Sequence, residues 1–307
     1  MKTKLLAVAA ALAMGAGASQ AGPATDQLLS LMPLGSVFFE DDSAESIVSL
    51  TAGDTILDEG DVLRGIIRMQ KVGGVALAIA PGAGVELTGV FEAKVTKKTS
   101  AGGFGYIYEF GPTGTLGSSL GLVPTYDPGA MVVLFADNTP DFAIGGGGCT
   151  TPGAGGDCEA NAINGELFAV AGFTGDLDEF WRTGLVGFDD ISVLTNGSES
   201  VAAGQYGFNL GLQFAAFEYE KFACSPTYNT SWAGVGNKCG DGDGKVDVVG
   251  SGSLLGTKDA QGASITPYQA TDDTDFTVLR VPEPATLSLV GLSLLGLGIA
   301  SRRRKAA

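Results

Sequence analysis

The chain has 307 residues, with 48 glycines, 12 prolines and 17% charged residues, a composition too apolar for a charged disordered chain and without the Gly-x-y period of collagen. Its 34 acidic and 18 basic residues leave a net charge of −16, which repels a phosphate backbone and argues against nucleic acid as a partner. Histidine is absent, so Ser-His-Asp triads, Cys-His dyads and His-ligated zinc sites are excluded.

Lys2 and Lys4 precede the apolar run 5–14, and Ser19-Gln20-Ala21 closes the segment, the order of a secretory signal peptide over 1–21 cleaved after Ala21. A short helical pattern follows at 25–32. Beyond it the periodicity is two. Val85, Leu87, Gly89, Phe91, Ala93 and Val95 alternate with mainly polar residues through Thr96, which predicts a half-buried strand. Tyr206, Phe208, Leu210, Leu212 and Phe214 do the same, as do Phe104, Tyr106, Tyr108 and Phe110. Shorter strands are predicted at 62–72, 131–136, 167–173 and 276–281, separated by turn signals such as Asp58-Glu59-Gly60-Asp61 and Asp137-Asn138-Thr139-Pro140. A second helical pattern covers 177–183. These elements predict an all-β body over 22–280, a single antiparallel β-sandwich or jelly-roll-like domain with glycine-rich loops. A parallel β-helix ranks second because no fixed repeat period is present.

The densest glycine loop, 145–156, lacks the Lys-Ser or Lys-Thr that a phosphate cradle needs and reads as a loop pinned by cysteines. Four cysteines in an exported chain, Cys149, Cys158, Cys224 and Cys239, point to two disulfides. Three pairings are open; nearest-neighbour pairing closes two short loops, the second worth up to ~3 kcal/mol. A four-cysteine metal site is disfavoured because no Cys-x-x-Cys spacing occurs. After Cys239, the run Asp241-Gly242-Asp243-Gly244-Lys245-Val246-Asp247 places Asp241, Asp243 and Asp247 as alternate carboxylates on a glycine turn, the oxygen-rich pattern calcium takes. It resembles a truncated EF-hand or dockerin-type loop, with Cys239 and Gly250 where the outer carboxylates belong. The competing reading is a plain Asp-Gly hairpin turn with no cofactor.

Gly117-Ser118-Ser119-Leu120-Gly121 matches the Gly-x-Ser-x-Gly elbow, but the serine has no histidine base and reads as a turn. Paired carboxylates could cleave glycosides without histidine. The adjacent pairs Asp178-Glu179, Asp189-Asp190 and Asp272-Asp273, however, would point to opposite faces of a strand. Trp181 and Trp232 are read as core or interface residues ahead of sugar-stacking platforms.

At the far end, Val281-Pro282-Glu283-Pro284 leads into the uncharged run 285–300 and then Arg302, Arg303, Arg304 and Lys305. As a helix that run spans roughly 24 Å, short of the ~30 Å hydrocarbon core, and gives a marginal membrane anchor whose basic end stays cytoplasmic. The three-part tail over 281–305 closely resembles the PEP-CTERM sorting signal of Gram-negative bacteria: Pro282-Glu283-Pro284, a short transmembrane helix, and the cluster Arg302, Arg303 and Arg304. The resemblance implies recognition by a membrane-embedded exosortase after Sec export, transient membrane residence through 285–300, and delivery to the cell surface or extracellular matrix. An unprocessed C-terminal anchor is the alternative. Between the two ends the chain keeps 12 basic and 33 acidic residues, a net of about −21. The expected function is therefore a non-enzymatic structural or adhesive protein of exopolysaccharide, biofilm or floc matrix. The alternatives are an exported polysaccharide-acting enzyme and a calcium-dependent carbohydrate-binding module.

Overall fold

The computed structural model describes residues 22–48, 56–77, 84–102, 105–142, 156–184, 186–187, 204–224, 242–255 and 270–282. Three helices lie among them, α1 (Pro23–Leu31), α2 (Leu116–Ser119) and α3 (Asp157–Ala162). The strands are β1 (Gly35–Val48), β2 (Val62–Val72), β3 (Val75–Ala76), β4 (Glu86–Ser100), β5 (Tyr106–Gly111), β6 (Ala130–Asp137) and β7 (Glu166–Gly172). They continue with β8 (Phe180–Thr183), β9 (Gly204–Ala215), β10 (Phe222–Ala223), β11 (Lys245–Val246), β12 (Val248–Leu255) and β13 (Ala270–Arg280).

The body is all-β and antiparallel, but it is a closed barrel and not the predicted sandwich or jelly roll. Eight strands run β2-β1-β13-β12-β9-β7-β6-β4, and β4 pairs back onto β2 from Val62↔Lys94 to Arg68↔Thr88. That last pairing removes the free edges that two stacked sheets would keep. β4 and β9 outrun their neighbours, so the wall between them is β6–β7 at one end and β5–β8 at the other.

Pleating sends alternate residues inward. Phe39, Met69, Leu87, Phe91, Phe168 and Leu210 fill one interior cluster. Trp181 lies in the same interior against Phe208 (ring centroids 5.2 Å apart), Tyr206 (5.9 Å) and Phe91 (6.1 Å), which makes it a core residue. A second layer lies outside the wall, where Ile66, Val90, Val133 and Phe135 pack with Leu116 of α2 and Cys158 and Ala162 of α3. For this reason β4 is not half-buried at its start: Glu86, Thr88 and Glu92 on its outward face are buried as well. The predicted 177–183 helix is instead a turn followed by β8, held between β5 and β9.

α1 matches the helical pattern at 25–32 and packs Ala24, Leu28 and Met32 into the barrel core, where full burial of a leucine contributes about 1.5–3 kcal/mol. Both of its ends are capped by the barrel. Glu166 at the start of β7 accepts from the Thr25 amide (3.0 Å), and Arg280 at the end of β13 donates to the carbonyls of Leu29 (2.7 Å) and Met32. Neither Cys158 nor Cys224 is a free thiol, and the two belong to separate hydrophobic clusters, while Cys149 and Cys239 lie outside the described residues.

Candidate metal centre and the sorting tail

Calcium binding needs several carboxylate or carbonyl oxygens converging on one point. The turn before β8 and the turn before β11 bring such oxygens together: one oxygen each from Asp176, Asp178 and Asp243 lies within 4.8 Å of the others. Asp178 is fully buried and organises the second turn, its Oδ1 accepting from the Gly242 amide (3.0 Å) and its Oδ2 from the Gly244 amide (2.6 Å). Glycine is required at both positions. Gly244 has φ +71°, and a Cβ on Gly242 would fall 2.4 Å from an Asp176 oxygen. Glu179 closes its own turn by accepting from the amides of Thr174 (2.7 Å), Gly175 (3.0 Å) and Asp176 (3.1 Å), which aims Asp176 at the cluster.

Lys221, just before β10, donates to Asp176 Oδ2 at 2.8 Å. This contact, followed by the Asp178 amide, holds the Asp176 carboxyl below its ordinary range, and it holds the Lys221 ammonium above its own. Asp247, 4% exposed between β11 and β12, is electrostatically coupled to the group. Its Oδ2 accepts from the Leu212 amide at 2.8 Å, whereas its buried Oδ1 makes no hydrogen bond. Burial pushes its carboxyl up, opposed by the Leu212 amide and Lys221 and reinforced by Asp176 and Asp243.

Of the carboxylates predicted from sequence, Asp243 enters this cluster, Asp247 adjoins it through its field while serving β9, and Asp241 lies outside the described residues. Asp176 and Asp178 were missed because they lie more than sixty residues upstream. Their signal, alternate aspartates after a glycine in Gly175-Asp176-Leu177-Asp178, was absorbed into the helical reading of 177–183. Ser119, the serine of the Gly-x-Ser-x-Gly match read as a turn, sits at the end of α2 with its hydroxyl donating to the Leu116 carbonyl at 2.8 Å. Asp272 points inward, accepting from the Tyr206 hydroxyl, while its neighbour Asp273 is exposed. The barrel interior beside Asp272 holds a cavity of about 50 Å³, lined mainly by Phe39, Phe91, Phe208 and Phe276. Its lining is apolar apart from Asp41, Asp272 and Thr274, and its volume falls well short of the roughly 300 Å³ or more of a small-molecule site.

The sorting tail begins where the barrel ends. Arg280 bridges to Tyr219, the Val281 amide donates to the Glu218 carbonyl at 3.0 Å, and the exposed Pro282 has no amide with which to continue the pairing. Glu283, Pro284 and the arginine cluster lie outside the described residues, as does the predicted 285–300 span. No described helix is long and apolar enough to cross a membrane. No curated protein and no solved structure matches the chain. Residues 280–305 match the PEP-CTERM protein-sorting motif, so the barrel is carried by an exported protein whose C-terminal membrane anchor is the substrate of exosortase, a membrane enzyme that directs it toward the cell surface.

Proposed function

We propose that this is a non-enzymatic surface or matrix protein, exported, held briefly by its tail, and then joined to or embedded in extracellular polysaccharide, where it works by adhesion. The observation that carries this reading is the sorting motif at 280–305 following directly on a barrel whose chain is strongly acidic, about −21 between the two ends. An acidic barrel stays dispersed by self-repulsion and is joined to polyhydroxyl or anionic polymer through cations. The test uses purified residues 22–281 and the native exopolysaccharide. Co-sedimentation with the polymer, strengthened by calcium and without depolymerisation, is expected; clearing of the polymer in a zymogram would overturn the reading in favour of a polysaccharide-acting enzyme.

A second reading, a calcium-dependent carbohydrate-binding module, is favoured by the converging oxygens of Asp176, Asp178 and Asp243. Hard oxygen ligands suit calcium. Calcium should raise the melting temperature of the wild type by more than that of Asp243→Ala. An equal calcium-minus-chelator shift in the two proteins would exclude it.

A further inference from the structure

A second group of carboxylates lies in the outer layer, separate from the Asp176, Asp178 and Asp243 cluster. Glu86 opens β4 and Asp137 closes β6, and the two are direct partners in the antiparallel register. Like charges placed opposite each other destabilise a strand pair. Asp141, on the loop leaving β6, joins them, so that one oxygen from each of the three lies within 4.8 Å of the others. Two oxygens bound at about 2.4 Å to one calcium ion are separated by at most about 4.8 Å, so the three lie within the span that a single ion can bridge.

Among the described residues, no cation relieves the crowding. Glu86 is 1% exposed; its Oε2 accepts from the Phe142 amide at 3.3 Å, while its buried Oε1 makes no hydrogen bond. Among the described residues no lysine or arginine forms an ion pair with Glu86, Asp137 or Asp141. The other two acids are nevertheless held in place. Thr139 donates its amide (2.8 Å) and hydroxyl (2.7 Å) to Asp137 Oδ1, and the Asn164 side-chain amide spans both oxygens of Asp141 (3.2 and 3.0 Å). Three oriented carboxylates, one of them buried with an unused oxygen, form an arrangement that a cation completes.

We infer that Glu86, Asp137 and Asp141 bind a divalent cation of the calcium class, which clamps the start of β4 to the loop leaving β6. The inference is independent of the Asp176, Asp178 and Asp243 cluster. Smaller magnesium, which demands near-ideal octahedral geometry at 2.0–2.1 Å, fits this spacing less well. Burial raises the Glu86 carboxyl to about 7, against the amides of Phe142 and Asp141 and with the charges of Asp141 and Asp137 adding to it, as a site lacking its counter-charge requires.

The test counts calcium ions bound to the full chain in mild detergent by equilibrium dialysis, comparing wild type with Glu86→Gln, Asp141→Asn and Asp243→Asn. Glu86→Gln and Asp141→Asn should each lose one ion per chain or hold it about tenfold or more weakly, through lost ligand charge, while Asp243→Asn retains that ion. Asp141 is exposed, so its variant decides the matter if Glu86→Gln does not fold. Equal ion counts and affinities in wild type, Glu86→Gln and Asp141→Asn would overturn the inference, as would no binding to wild type at millimolar calcium. Loss in Asp243→Asn alone would sustain the calcium reading of the other cluster and sink this one.

Discussion

Arg64 is the test of how the outer layer is held to the barrel. It lies on the outward face of β2, buried, and its guanidinium forks onto Glu159 of α3, Nε to Oε1 at 2.7 Å and the second terminal nitrogen to Oε2 at 2.9 Å. The remaining nitrogen reaches Glu92, its register partner on β4, and both terminal nitrogens lie 3.4 Å from the Ser119 hydroxyl of α2. Burial alone would depress the guanidinium's pKa, but Glu159 and then Glu92 hold it above its ordinary value. Arg64→Met keeps most of the apolar stem and removes the charge, leaving Glu92 at 7% and Glu159 at 3% exposure without their counter-ion. An uncompensated buried partner costs about 3–5 kcal/mol. With a urea slope of about 3 kcal/mol per M for a body of this size, the unfolding midpoint should fall by about 1–1.7 M. Adding Glu92→Gln and Glu159→Gln to Arg64→Met removes the stranded charges, so the triple variant should recover most of the loss. A midpoint for Arg64→Met within about 0.2 M of wild type would refute the reasoning, as would a triple variant no more stable than the single one.

Close backbone approach should make two glycines respond oppositely: a Cβ on Gly172 would lie 1.9 Å from the Gly129 carbonyl oxygen, whereas on Gly207 the nearest atom is 3.8 Å away. Gly172→Ala should therefore lose about 2 kcal/mol or more, and Gly207→Ala stay within about 1 kcal/mol of wild type in denaturant titrations. In chelator, Glu86 should make the barrel less stable as pH rises. Its folded value of about 7 exceeds its ordinary 4.5, so the folded state binds the extra proton between those limits, and stability is lost across that window by up to about 3 kcal/mol. Unfolding at pH 4.5 and 7.5 in EDTA measures this, and Glu86→Gln should flatten the difference. Arg280→Ala should cost about 1–2 kcal/mol by uncapping α1, read as faster amide exchange at Leu28 and Leu29 than in β7.

The sequence made most strands legible because their side chains answer to a single local rule, alternation. It hid β1 and β12, where that rule is bent for packing. In β1 the run Glu40-Asp41-Asp42 looks like a polar loop. The register slips by a bulge at Glu40/Asp41, and Asp41 is buried with its Oδ1 accepting from the Thr274 amide at 2.7 Å. In β12, Gly250 and Gly252 leave no apolar signal because the rings of Phe208 and Tyr206, their partners on β9, occupy the space a Cβ would need. Closure was illegible for a different reason. Whether β2 meets β4 as well as β1 depends on contacts across the whole chain, and alternation is the same in a sandwich and a barrel. The acidic clusters divide along the same line: Asp243 was visible in its own turn, whereas Asp176, Asp178 and the Glu86–Asp137 pairing arise only from register and loop juxtaposition.

Closure also bears on the tail. The strand that leads into the sorting motif is not an edge strand. β13 is paired with β1 from Gly35↔Arg280 to Glu45↔Ala270 and with β12 from Val248↔Val278 to Leu255↔Thr271. Its last residues are tied further, Arg280 to the C-terminal carbonyls of α1 and Val281 to Glu218. Every one of these bonds lies before Pro282, so removing the chain beyond it takes away none of the described barrel's hydrogen bonds and exposes no new strand edge. A sandwich ending in an edge strand would have coupled its fold to the fate of its anchor. This barrel folds around its final strand, and none of that strand's described pairings depends on the anchor.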